Sequence, residues 1–149
     1  MTGEVFIDTN LLVYAYDHTA GEKHVKANEI LDVLLHTGRG VLSAQVLAEF
    51  FRVSTSKLSP PLTKREAYNR VANLIRAWKV LNVTALIVLE AARAAAEYDL
   101  AYWDAQIWAT AKLNQVPVIF TEDVPAPSIE GIRYVNPFAA EFHVKEWVW

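Results

Sequence analysis

Residues 5–10 read Val5-Phe6-Ile7-Asp8-Thr9-Asn10: three β-favouring side chains, an acid, then two residues suited to a helix start. A short apolar run that stops abruptly at a polar residue has the pattern of a fully buried strand. The same arrangement returns at 116–123, V-P-V-I-F-T-E-D, where the run Val116–Phe120 ends in Thr121-Glu122-Asp123. Two such strands, separated by a long helical stretch, set the architecture.

Working outward, one helix is expected from about Thr9 to Asp17 and a second from about Glu22 to His36, closed by Gly38 and Gly40. Val41-Leu42-Ser43 reads as a short extended segment, and Ser43 suits the N-cap of a helix that fades near S-T-S-K-L-S, before Pro60 and Pro61. Thr63 and Glu66 form a T-x-x-E capping box that opens a helix to about Trp78. Lys79–Val83 is a third strand candidate. Thr84 caps an alanine-rich helix to about Tyr98, and another helix runs from about Tyr102 to Asn114. After a loop with Pro125, Pro127 and Gly131, Arg133-Tyr134-Val135 is a possible fifth strand. Strands alternating with helices imply an α/β fold with a mostly parallel sheet of about four or five strands, covered on both faces. In such sheets ligands gather at the carboxyl ends of the strands.

The 149 residues suit one domain, and 53% hydrophobic with 21% charged residues is a globular balance. Without cysteine there is neither a disulfide framework nor a thiolate zinc site, which fits a cytoplasmic setting. No signal peptide is evident, and the apolar run A-L-I-V-L is far too short to span a bilayer. A net charge of −3 argues against a coat of basic residues, yet residues 52–79 carry seven bases against the single acid Glu66. That basic middle suits a phosphate-facing surface, and equally a solvated helix face.

Four acids stand out. Asp8 and Asp123 follow strands, where each also suits a cap or turn. Glu49 lies among Val46, Phe50 and Val53 at helical spacing, and Asp104 lies among Leu100, Ile107, Trp108 and Ala111, so both are expected on apolar faces. Arg52 is a local partner for Glu49; no base lies within a turn of Asp104. Burying unpaired carboxylates costs several kcal/mol or more, so one joint role explains them better than four separate ones. Hard divalent cations take oxygen ligands, and a carboxylate-bound metal can activate water against a phosphodiester. The histidines (His18, His24, His36, His143) are scattered, and no phosphate-cradling glycine loop or nucleophile elbow is present.

The motifs F-I-D-T-N, S-A-Q-V-L-A-E-F, Y-W-D-A-Q-I and F-T-E-D, with the late V-N-P-F, resemble the PIN-domain ribonucleases over about residues 5–138, most of all the VapC-type toxins. The resemblance implies a three-layer α/β/α sandwich, dependence on Mg²⁺ or Mn²⁺, endonucleolytic cleavage of RNA, a homodimer, and a small cognate antitoxin. It assigns Asp8, Glu49, Asp104 and Asp123 to catalysis and metal binding, with Thr9, Asn10 and Thr121 as supporting polar residues. Arg52, Lys64, Arg65 and Arg70 are the expected RNA contacts. One departure is the segment E-D-V-P-A-P-S, where many relatives carry a glycine soon after the last acid. Residues 139–149 form a C-terminal extension whose Trp147 and Trp149 either cover the domain or face a partner. A phosphoacceptor domain would need a late-strand lysine that is missing here; a non-catalytic module, or a PIN nuclease of RNA processing without an antitoxin, are the other readings.

Overall fold

Local signals account for most element boundaries in the computed structural model, which describes residues 3–148. Strand β1 (Val5–Ile7) is buried throughout, and Asp8 caps helix α1 (Thr9–Tyr16) by accepting the Thr9 backbone N–H. Helix α2 (Glu22–Thr37) ends on left-handed Gly38, a conformation that costs glycine nothing. Strand β2 (Gly40–Ser43) feeds α3 (Ala44–Ser54), whose N-cap Ser43 accepts from Val46 N. The Thr63–Glu66 capping box is formed at the start of α4 (Lys64–Ala77). Then follow β3 (Lys79–Leu81), α5 (Ala85–Tyr98) capped by Thr84, α6 (Tyr102–Leu113) and β4 (Val118–Phe120).

Among the described residues the sheet has six strands, where four or five were expected. The additional one is β5 (Ser128–Ile129), inside the segment read as a loop. It pairs antiparallel with β6 (Ile132–Val135) through a turn of Glu130 and Gly131, both at positive φ. A two-residue strand is too short to show alternation, so its pattern could not be read. The order is β3-β2-β1-β4-β6-β5, parallel everywhere except at that hairpin.

The order in which strands are added reverses at β1: β2 and β3 extend to one side, then the chain returns to place β4 on the other. With right-handed crossovers, the α1–α4 group and the α5–α6 pair therefore fall on opposite faces. Complete burial of β1, β2 and β4 agrees with cover on both sides. The core runs through Phe6, Leu11, Phe50, Trp108 and Phe120.

The C-terminal extension lies on the domain. Phe142 and Val148 are buried, and Phe142 and Trp147 stand edge-on to Phe120, with centroids at 5.2 and 6.0 Å. Trp147 therefore covers the fold; Trp149 lies outside the described residues. No helix among the described residues is long and apolar enough to cross a membrane.

Candidate active site

The crevice where the sheet order reverses opens at the carboxyl ends of β1 and β4. Asp8 leaves β1 and Thr121-Glu122-Asp123 leaves β4, and the register Ile7↔Phe120 sets the two exits side by side. The Asp8 N–H donates to the Phe120 carbonyl at 3.1 Å, which extends the pairing by one step. Helix α3 brings Glu49 to the same place and the first turn of α6 brings Asp104. Asp8, Thr9, Asn10, Glu49, Asp104 and Asp123 line one cavity of about 470 Å³, shared with Arg52 and Lys57.

Hydrogen bonds hold the Asp8 and Glu49 carboxylates individually. Asp8 accepts from the Thr9 N–H at 2.7 Å through Oδ1 and from the Thr121 hydroxyl at 2.8 Å through Oδ2. The Thr121 Oγ1 also accepts from Asn10 Nδ2 and from the Asp123 N–H, each at 3.2 Å, so one hydroxyl organises Asp8, Asn10 and the Asp123 loop. The flanking Glu122 is clamped by the Tyr14 hydroxyl and by Lys23. Glu49 accepts from the Thr9 hydroxyl at 2.7 Å and from Gln45 Nε2 at 2.9 Å.

Gln45 begins a relay that the sequence reading passed over. Its Nε2 also donates to the Trp103 carbonyl at 3.0 Å, and its Oε1 accepts from Gln106 Nε2 at 2.8 Å. Gln106 in turn accepts from the Tyr102 hydroxyl at 2.8 Å. Both glutamines are buried, and they tie the helix carrying Glu49 to the helix carrying Asp104. The available signal was two amides on otherwise apolar helix faces, inside the segments S-A-Q-V-L-A-E-F and Y-W-D-A-Q-I.

Glu49 is half-buried beside buried Val46 and Phe50, as its spacing implied, but Arg52 does not pair with it. Asp104 departs from expectation. It is exposed in the first turn of α6, and the buried stripe begins only at Ala105. Ile107, Trp108 and Ala111 are buried as the spacing implied, but Leu100 precedes the helix, whose first turn projects beyond the core it packs on. Of the expected RNA contacts, Arg52 alone lines the cavity. Lys64, Arg65 and Arg70 are exposed on α4, with Arg65 over the Tyr68 ring and Arg70 over Tyr16. Lys57, in the turn after α3, is the additional cation at the cavity.

Burial pushes the Asp8 carboxyl up to about 6; the Thr121 and Thr9 hydrogen bonds oppose this, and the Glu49 and Asp104 charges add to it. Asp104 is also raised, first by desolvation at the cavity wall although the residue as a whole is exposed, then by Asp123 and Glu49. Among the described residues, none of the four acids forms an ion pair with a lysine or arginine. Such a donor set, all oxygen and mutually repelling, fits a hard divalent cation. Among the described residues, no three Asp, Glu or His side chains converge into a ready-made ligand cluster. Mg²⁺ is compatible with this, because it retains several waters and uses only one or two direct carboxylates.

A family model described as PIN domain matches residues 5–126. Curated protein sequences return no match. Among solved structures, a toxin–antitoxin complex from Klebsiella pneumoniae superposes with a TM-score of 0.67 at 20% identity, covering 91% of this chain and 98% of that one. The sarcin–ricin-loop-cleaving toxin VapC20 of Mycobacterium tuberculosis gives 0.64 at 19% identity, covering 87% and 99%. DNA-bound VapBC from Salmonella typhimurium gives 0.67 at 18% identity, covering 91% and 99%. At these identities the superpositions establish a shared fold.

Proposed function

Since this chain belongs to the PIN domain family, we propose that it is a metal-dependent endoribonuclease, the toxin of a two-protein toxin–antitoxin pair. The observation that carries this reading is the meeting of Asp8, Glu49, Asp104 and Asp123, from four separate elements, in one cavity that also holds Arg52 and Lys57. Carboxylates with cations beside them suit a phosphodiester, whose charge needs both a metal and basic side chains.

Asp8, Glu49 and Asp104 would hold Mg²⁺ or Mn²⁺, directly or through water, and Asp123 would complete the site. When bound, the ion supplies Lewis acidity, lowering the pKa of water and offsetting charge on the scissile phosphate. Thr9 and Gln45 fix the two Glu49 oxygens, and Thr121 with Asn10 fixes Asp8 against the Asp123 loop. Arg52 and Lys57 orient the phosphate, while Lys64, Arg65 and Arg70 extend the cationic track along α4. Water attacks phosphorus in line, the bond to the 3′-oxygen breaks, and a proton passes to that leaving oxygen. The products are a 5′-phosphate and a 3′-hydroxyl.

Several solved relatives are complexes with an antitoxin, which supports a small protein inhibitor for this chain. The homodimer expected from the family resemblance and the cytoplasm as the place of action belong to the same proposal. The test is incubation with total cellular RNA and Mg²⁺ or Mn²⁺, with chelator and Asp8→Asn as controls. Cleavage confined to the metal-loaded, unsubstituted protein supports the reading. Products ending in a 2′,3′-cyclic phosphate would sink the mechanism, because they require attack by the ribose 2′-hydroxyl.

A further inference from the structure

We infer that the recess beside Trp103 is a base subsite, where an unpaired RNA nucleobase flanking the scissile phosphate stacks on the indole while Arg52 holds the adjoining phosphate. The inference rests on the nuclease reading above and adds a recognition element to it. Trp103 is 62% exposed although it immediately precedes Asp104. Its ring stands edge-on to Tyr102, with centroids 5.1 Å apart at 80°, which steadies the indole, and its carbonyl is pinned by Gln45. An open aromatic face, braced by Tyr102, is thus held at the margin of the acid site.

The recess itself has a volume of about 480 Å³ and is lined by Gln45, Ala48, Glu49, Arg52, Trp103 and Gln106. Glu49 and Arg52 line both this recess and the acid cavity, so the two spaces adjoin. Ala48, one small side chain, leaves the volume open. The Arg52 guanidinium makes no ion pair or ring contact among the described residues. A π-face, an unengaged cation and amide walls next to a phosphodiester site match a single-stranded nucleotide: the base has a face to stack, and its phosphate is an anion to pair. An apolar protein helix would bury the Arg52 guanidinium without a counter-charge.

The test uses the full chain carrying Asp8→Asn, so that RNA is bound and not cut. Fluorescence anisotropy measures a labelled 12-residue single-stranded RNA of mixed sequence against an abasic ribose-phosphate oligomer of equal length. The expected result is tighter binding of the RNA, a loss of about 10-fold on adding Trp103→Ala, and a loss under about 3-fold with Trp103→Phe. The abasic oligomer should bind all three alike. RNA affinity unchanged by Trp103→Ala overturns the inference, as does equal loss for both oligomers, which would mean a structural role. A change of sedimentation mass with RNA affinity intact also overturns it, assigning Trp103 to a protein contact. If Trp103→Ala fails to fold, the parent still decides: binding the two oligomers equally overturns the inference. RNA cleavage without any effect of Trp103 sinks the subsite and leaves the nuclease standing. Stacking without cleavage does the reverse.

Discussion

Replacing Asp8 by asparagine should stabilise the metal-free protein at neutral pH, although it destroys the site. Folding raises the Asp8 carboxyl from 3.8 to about 6, chiefly by burial. Asp8 thus holds its proton more tightly folded than unfolded. Its contribution is fully favourable below about 3.8 and becomes a penalty as pH rises toward about 6. At about 1.36 kcal/mol per pH unit, the ionised side chain costs the fold about 3 kcal/mol above that range. Asparagine serves as N-cap about as well as aspartate. The Thr121 contact must rearrange, which returns about 1 kcal/mol. The net gain is about 2 kcal/mol at pH 7.5, or about 4–8 °C in Tm for a chain of this size. The assay is thermal unfolding by circular dichroism in chelator at pH 4, 5.5 and 7.5. The advantage of Asp8→Asn should shrink toward zero at pH 4, where the wild-type side chain is already protonated in the fold. Adding Mg²⁺ or Mn²⁺ at pH 7.5 should raise the wild-type Tm and leave the variant nearly unmoved, because only a state that binds ligand gains from it. A variant no more stable than wild type at pH 7.5, or one whose advantage ignores pH, refutes the account of Asp8 as a carboxylate buried for the sake of a metal.

Glu49→Gln should abolish RNA cleavage and lower metal-free stability by no more than about 1 kcal/mol by urea unfolding; a much larger loss would make Glu49 a structural residue. Gln45→Ala removes the crossbar between α3 and α6 and leaves the Gln106 Nε2 and the Trp103 carbonyl without a partner. It should cost about 1–3 kcal/mol and weaken Mn²⁺ binding by calorimetry about 10-fold or more; unchanged Mn²⁺ affinity would deny Gln45 a positioning role. Thr121→Val deletes the hydroxyl that holds Asp8 down. The Asp8 carboxyl should rise above about 6, and the acidic limb of the pH–activity profile should move to higher pH; a shift the other way would contradict the hydrogen bond. Raising salt should weaken RNA binding, and Arg52→Ala with Lys57→Ala should flatten that dependence more than Lys64→Ala with Arg65→Ala.

Sequence alone carried the order and most boundaries of the elements, because they follow from contacts a few residues apart. The Ser43, Thr63 and Thr84 caps, the apolar runs at Val5–Ile7 and Val118–Phe120, and the position of Asp8 one residue beyond β1 are all short-range facts. The four acids were also legible, since a carboxylate at a buried strand end or on a helix with apolar spacing asks for an explanation. How they are held depends on packing between elements far apart in the chain. Gln45 and Gln106 are 61 residues apart and meet because α3 and α6 reach the same crevice; no periodicity announces a single amide contact. Packing also moved Asp104 from the expected buried face to an exposed helix end, replaced most of the α4 cations at the cavity with Lys57, and left Trp103 open beside Asp104. Spacing along a chain shows which side chains share a face. How far that face extends past the core depends on where neighbouring elements stop, and packing alone sets that limit.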